Sequence, residues 1–239
     1  MVELRGEEKR IYVADMFSRI SGRYDLMNAI MTLGMDRRWR KLAAKTAGHS
    51  LEGAALDVAT GTGDLAFQLA KTIGITHVTG LDLIEPMITR AQKKARNNKG
   101  SIPVSFIQGD ALALPFPDDS FACVTSAFSL RNMPDVALAL KEMKRVVKPG
   151  GRVLSLETMP SSRGLFRPLV RVHFRTIVPI LGAMIAGDRS AYTYLPRSVE
   201  GFHSSDALAD IFKASGLTDI RHQSLAFGAV HIHWGTKRN

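Results

Sequence analysis

The chain reads as an α/β fold: a mostly parallel seven-stranded sheet with helices on both faces, a helical cap before it and an antiparallel hairpin at its end. Three observations carry this reading. Residues 54–63, AALDVATGTG, are a short apolar run that meets an acid and a glycine loop, and a helix-like stretch follows at once. Short apolar runs and amphipathic stretches then alternate as far as residue 157. Residues 219–236 hold two strand-like runs parted by Phe227-Gly228, too short a link for a parallel crossover. Strands alternating with helices build right-handed βαβ units, and the closing pair must run antiparallel.

In chain order, residues 7–50 are helical and amphipathic in pattern, end near Gly48, and form the cap. A strand at 54–59 leads through the glycine loop to a helix at 64–72. A strand at 77–82 precedes a helix at 86–97. The strand at 104–108 is followed by a turn-rich loop at 109–119, with Pro115, Pro117, Asp118 and Asp119. A strand at 121–127 precedes a helix at 136–147, stopped by Lys148-Pro149-Gly150-Gly151, and a strand at 152–157 follows. A helix at 204–215, capped by Ser204 or Ser205, and strands at 219–225 and 229–236 complete the set. One domain is expected over 1–239, with 1–50 as the cap and 160–203 as a helical insertion or lid.

Composition narrows the class. At 239 residues and 45% apolar content the chain suits one α/β domain with a substantial core. The one cysteine, Cys123, lies in the apolar run Phe121-Ala-Cys-Val and reads as core. The first residues, MVELRGEEKR, are charged and lack the apolar stretch of a leader. No run approaches the roughly 20 apolar residues of a membrane span. A cytoplasmic protein is expected, with contact at the inner face of the membrane. The net charge of +10 suggests an anionic partner, either nucleic acid or an acidic membrane surface, and equally suits a basic proteome or general solubility.

Gly61-Thr62-Gly63 with Ala66 fits the spacing of a nucleotide-binding corner, where glycines admit a ligand and a helix start offers free N–H groups. Dinucleotide and S-adenosylmethionine sites share that spacing. Asp57 separates them. A pyrophosphate gains nothing from an acid at the strand end, whereas the amino-acid and sulfonium end of S-adenosylmethionine does. Asp82, with Leu83 beside it, ends the second strand 25 residues later, where an acid accepts from both ribose hydroxyls. Asp110 ends the third strand and can take the adenine amino group, with the Ala111 N–H nearby. Ala127 ends the fourth. A helix cap and a turn are the plain structural uses of Asp82 and Asp110.

Longer stretches sharpen the pattern. Tyr24-Asp25-Leu26-Met27-Asn28 runs on through Leu33-Gly34-Met35-Asp36-Arg37-Arg38-Trp39. Phe128-Ser129-Leu130-Arg131-Asn132-Met133-Pro134-Asp135 follows the fourth strand, and Arg145 leads through Lys148-Pro149-Gly150-Gly151 to Glu157. Ala186-Gly187-Asp188 and Tyr192-x-Tyr194-Leu195 add to them. With these the whole chain resembles the class I S-adenosylmethionine methyltransferases, and within them it is similar to the ubiquinone/menaquinone biosynthesis C-methyltransferase family. The resemblance implies a Rossmann-like fold, S-adenosylmethionine as cofactor, and C-methylation of a prenylated hydroquinone, with demethylmenaquinol ahead of the ubiquinol precursor. Thr32, Asp36, Ala127, Ser129 and Met159 depart from the family pattern. Alanine at 127 removes a side-chain contact with the cofactor, and the acceptor stays open to another phenol or lipid.

Arg131 and Asn132 follow the fourth strand on the carboxyl edge, where ligands bind in this fold, and are the candidate catalytic pair. With a pKa above about 12, arginine is a poor base. It can stabilise a phenolate, orient a water, or simply pin its loop. Tyr24, Asp25 and Asn28 either lie over the cofactor or build the cap.

Arg163, Arg167, Arg171 and Arg175 recur every four residues among Leu165, Phe166, Leu169, Val170 and further apolar neighbours to 186. On a helix this is a basic stripe drifting by about 40° per step. It suits an interfacial helix on an anionic membrane, and equally a core-packed helix or a homodimer contact. Two other classes compete. A nicotinamide oxidoreductase shares the glycine corner, but Asp57 and the lack of a Tyr-x-x-x-Lys pair oppose it. An RNA binder or RNA methyltransferase fits the charge, but nucleic acid is not the expected partner, because the arginines alternate with lipid-like residues rather than stacking aromatics. The seven histidines show no ligand spacing, and no metal is expected.

Overall fold

In a computed structural model, the described residues are 6–97, 100, 102–160 and 189–238. The basic stripe of 163–186 lies outside them, as does most of the expected 160–203 insertion. The sheet has seven strands in the order β3-β2-β1-β4-β5-β7-β6. They are β1 (Gly53–Val58), β2 (Ile75–Asp82), β3 (Val104–Gln108), β4 (Phe121–Ala127), β5 (Val147–Thr158), β6 (Thr218–Leu225) and β7 (Val230–Thr236). Neighbours pair in parallel except β7, which runs against both β5 and β6. The strand order reverses between β1 and β4, so a crevice opens where their carboxyl ends part.

Helices cover both faces because alternate strand residues are apolar on both sides. On one face Leu56, Val58 and Val124 pack with Leu140 and Met143 of α6 (Val136–Val146) and with Leu208 and Phe212 of α8 (Ser205–Ala214). On the other, Ala55, Cys123 and Leu154 meet α3 (Met35–Gly48), α4 (Asp64–Leu69) and α5 (Glu85–Asn97) through Ala43, Ala47, Leu65, Leu69 and Ile88. The caps follow the local chemistry. Asp135 accepts from the Leu138 N–H to start α6, and Ser204 accepts from the Ala207 N–H to start α8.

Two elements differ from the sequence expectation. The stretch 7–50 is helical and ends at Gly48, as expected, but is divided into α1 (Gly6–Ile20), a 3-10 turn at Ser21–Arg23, α2 (Tyr24–Met31) and α3. Leu33 and Gly34, at φ 52° and 72°, break the chain before α3. In α1 and α2, Met16, Ile20 and Met27 form a small apolar cluster of their own, joined by Tyr12, Phe17 and Tyr194, the last from α7 (Arg189–Glu200). The helix before residues 148–151 ends at Val146, as expected, but β5 begins at once at Val147 rather than at 152. A Cβ on Gly151 would stand 2.6 Å from the Ala122 carbonyl oxygen, so glycine there permits the close approach of β5 to β4.

Candidate active site

Asp57 sits opposite Thr125 in the β1–β4 register and is 1% exposed. Its Oδ1 accepts from Thr125 Oγ1 at 2.8 Å and its Oδ2 from Thr60 Oγ1 at 2.6 Å. Burial pushes its carboxyl up to about 6, against those two hydroxyls and the nearby Arg40 charge. Asp82 is buried as well. Its Oδ2 accepts from the Gly61 N–H at 2.7 Å and its Oδ1 from the Ile84 N–H at 2.9 Å. Burial raises it, too, to about 6. The acid that ends β2 thus holds the loop that ends β1.

The two loop glycines do different work. A Cβ on Gly61 would meet nothing nearer than Tyr24 Cε1 at 3.8 Å, so this side of the loop is an open cradle. A Cβ on Gly63 would strike the Phe106 ring at 2.6 Å, and one on Gly80 would strike it at 2.5 Å. Both keep space for Phe106. Thr62, between Gly61 and Gly63, is buried. It donates to Asp25 Oδ1 at 2.5 Å and accepts from Lys94 Nζ at 2.9 Å, and Lys94 also reaches Asp25 and Asp64.

The cavity at the crevice has about 810 Å³ of free space, the solvent at its mouth included. Of the residues expected at the site, Tyr24, Gly61, Asp82, Leu83, Asp110, Ala111, Ala127 and Asn132 line it. Asp57, Thr62, Gly63 and Arg131 stand behind the wall rather than in it, and Asp25 and Asn28 are also outside it. Asp110 Oδ1 accepts from the Leu112 N–H at 2.9 Å, and its Oδ2 lies 3.5 Å from Arg10 Nη2.

Arg131 is 7% exposed and donates from Nη1 to Glu157 Oε2 at 2.9 Å. Glu157 is fully buried near the end of β5, and its Oε1 accepts from the Ser129 and Leu130 N–H groups at 2.5 and 2.6 Å. Burial raises the Glu157 carboxyl, with Arg131 and the two N–H groups acting the other way. In this geometry Arg131 pins the turn after β4. Asn132 is the member of the pair that faces the cavity.

Arg10, Val13 and Phe17 of α1 also line the cavity, and Lys9 Nζ donates to the carbonyls of Arg131 and Met133 at 2.9 Å each. No pattern in the sequence marked these. Glu157 did carry a signal, since it ends an apolar strand just as Asp57 and Asp82 do.

The arrangement offers an open glycine cradle, a buried acid with lone pairs left for two hydroxyls and a second acid at the next strand end, while the cation nearest the glycine loop, Lys94, is engaged by Asp25 and Asp64. Those features fit a ligand with a ribose and a positive end, as S-adenosylmethionine has.

Comparison with known proteins agrees. The chain is 43% identical over 222 residues to the demethylmenaquinone methyltransferase of Thermus thermophilus, covering 93% of this chain and 100% of the relative. It is 41% identical over 225 residues to the ubiquinone/menaquinone biosynthesis C-methyltransferase UbiE of Desulfotalea psychrophila, covering 94% and 90%. A solved S-adenosylmethionine-dependent methyltransferase from Thermotoga maritima shares the fold at 20% identity, with a TM-score of 0.65 over 95% of this chain and all of that one. The profile of the ubiE/COQ5 methyltransferase family matches residues 4–237, and the chain belongs to that family.

Proposed function

We propose that this methyltransferase transfers a methyl group from S-adenosylmethionine to a ring carbon of a prenylated hydroquinone, with demethylmenaquinol as the acceptor. The observation that carries the reading is the match over the full length of a relative named demethylmenaquinone methyltransferase. The bound cofactor supplies an electrophilic methyl group on a sulfonium.

The chain's residues supply position and field. Asp82 takes the ribose hydroxyls, and Asp110 with the Ala111 N–H takes the adenine edge. Asp57, behind Gly61, adds negative charge toward the cationic end. The acceptor loses a phenolic proton, and the charge moves onto the neighbouring ring carbon. That carbon would take the methyl as the methyl–sulfur bond breaks and leaves a neutral thioether, and the carbon's own proton would pass to water as the ring regains aromaticity. Asn132 lies where it can donate to the phenolate oxygen, and Arg131, held by Glu157, fixes the turn that carries it.

We also place the reaction at a membrane face, because a polyprenyl acceptor lives in the bilayer. The basic stripe of residues 163–186 is the surface proposed to meet anionic lipid. No helix among the described residues is long and apolar enough to cross a membrane.

The test is a methyl-transfer assay with reduced demethylmenaquinone and with the demethylated ubiquinol precursor, read by product mass. Methylation of the naphthoquinol in preference to the benzoquinol supports the reading. Methylation of neither overturns it.

A further inference from the structure

Tyr194 and Asn132 meet at the seam between α7 and the turn that follows β4. The Tyr194 hydroxyl is 3.2 Å from Asn132 Oδ1. The direction of the amide is set by its other neighbour. Asn132 Nδ2 lies 3.4 Å from the Phe128 carbonyl, a group that can only accept. Nδ2 therefore turns to Phe128 and Oδ1 to Tyr194, whose hydroxyl donates. One N–H of Nδ2 serves Phe128. The other is used by neither partner, and Asn132 lines the cavity.

Tyr194 is itself held. Its ring lies 5.6 Å from that of Tyr12 and packs on the small cluster of Met16, Ile20 and Met27. Burial raises its phenol above the usual value, so it remains a donor at neutral pH. The other charged or titratable groups around the pair are Arg131 with its partner Glu157, Lys9 on the Arg131 and Met133 carbonyls, and Tyr12.

We propose that Tyr194 is a positioning residue for the acceptor: by holding Asn132 Oδ1 it presents an Asn132 N–H to the oxygen of a phenol. The inference rests on the acceptor being a hydroquinone. A fixed N–H donor favours a phenolate over the neutral phenol, so the acceptor ionises at lower pH on the protein. The same donor would hinder an amine nucleophile, because it would occupy the lone pair with which the nitrogen attacks. The polarity of one amide thus sorts acceptors that carry an oxygen anion from those that do not.

Tyr194→Phe keeps the ring against Tyr12 and removes only the hydroxyl. Asn132→Asp keeps the acceptor toward Tyr194 and replaces the donor at the cavity with an anion. The probe is 4-nitro-1-naphthol, titrated by absorbance with saturating S-adenosylhomocysteine on the parent protein and on both variants. Its apparent pKa is expected to rise by about one unit in Tyr194→Phe, and further in Asn132→Asp, as hydrogen bonding to the anion is lost. Turnover of a short-tailed demethylmenaquinol should fall by about tenfold in Tyr194→Phe, less than the 10²–10³ for outright loss of an anion-stabilising donor. That loss should lie in kcat, recover at higher pH, and leave cofactor affinity within about twofold, since the cofactor's own contacts are intact.

Equal probe pKa values in all three proteins overturn the proposal. So does loss of cofactor affinity in parallel with turnover in Tyr194→Phe, which marks a structural role. If Tyr194→Phe does not fold, the Asn132→Asp titration decides alone. If the parent protein shifts the probe but methylates no quinol, the positioning stands and the hydroquinone reading fails.

Discussion

Replacing Asp57 with Asn should stabilise the free protein while it weakens cofactor binding, and the stability gain should depend on pH. The carboxyl is raised from 3.8 to about 6, so the folded state holds the proton more tightly than the unfolded chain. The destabilisation is absent below the unfolded value of 3.8, grows as pH rises through the interval, and is complete above about 6. Two units at about 1.4 kcal/mol each give a cost of about 3 kcal/mol at pH 7.5, against about 1 kcal/mol at pH 4.5. Asparagine is neutral throughout, and the Thr60 or Thr125 hydroxyl can turn to accept from its amide. The advantage of the variant should therefore widen by about 2 kcal/mol across that range, or about 4–8 °C in Tm for a chain of this size. Calorimetric unfolding at several pH values measures it. A difference that does not change with pH, or a variant less stable throughout, would refute the argument that burial of this charge is what raises it.

The same shifts predict that S-adenosylmethionine affinity rises with pH through about 6, because in the proposed site Asp57 ionises to face the cationic end and Asp82 ionises to accept from both ribose hydroxyls. Titration calorimetry in two buffers of different ionisation heat should show proton release near that pH, and no release would contradict it. Arg131→Ala should destabilise the fold by about 3–5 kcal/mol, since it leaves a buried carboxylate without its cation, and Glu157→Gln as a second change should recover part of that. Urea unfolding separates this from the alternative, in which stability is untouched and turnover alone falls. Replacing Arg163, Arg167, Arg171 and Arg175 with Gln should weaken binding to anionic liposomes by about 1 kcal/mol per arginine near the surface. Activity on a long-tailed quinol in vesicles should fall with it and activity on a soluble analogue should persist. Equal losses would assign the stripe to the interior.

Much of this was legible because strand chemistry is local. Asp57, Asp82 and Asp110 stand at or near strand ends where apolar runs stop, and the sheet order then brings those ends to one crevice. Ser204 and Asp135 mark helix starts by their own side chains. What stayed hidden was contact between distant segments. Nothing near Arg131 says that Glu157, 26 residues on, will neutralise it, and nothing near Thr62 says that Asp25 and Lys94 will clamp it. The break of the cap at Leu33-Gly34 and the run of β5 through Gly151 were missed for the opposite reason. There the sequence showed glycine and proline, but packing decided whether they end an element or permit a close approach.

The seating of Phe106 between Gly63 and Gly80 has a consequence for selectivity. An aromatic ring wedged from below fixes the loop during folding, so a ligand meets a cradle whose ordering entropy has already been spent. Rigidity of that kind cannot tell a reactant from the demethylated product it becomes, because the two share ribose, base and amino-acid tail. Shape alone would leave the spent molecule in place. What changes on methyl transfer is charge: the sulfur turns from a cation to a neutral thioether. In the proposed site, Asp57 under the loop, already reluctant to ionise, is the group that registers this change, because its charge loses its counterpart once the sulfur is neutral.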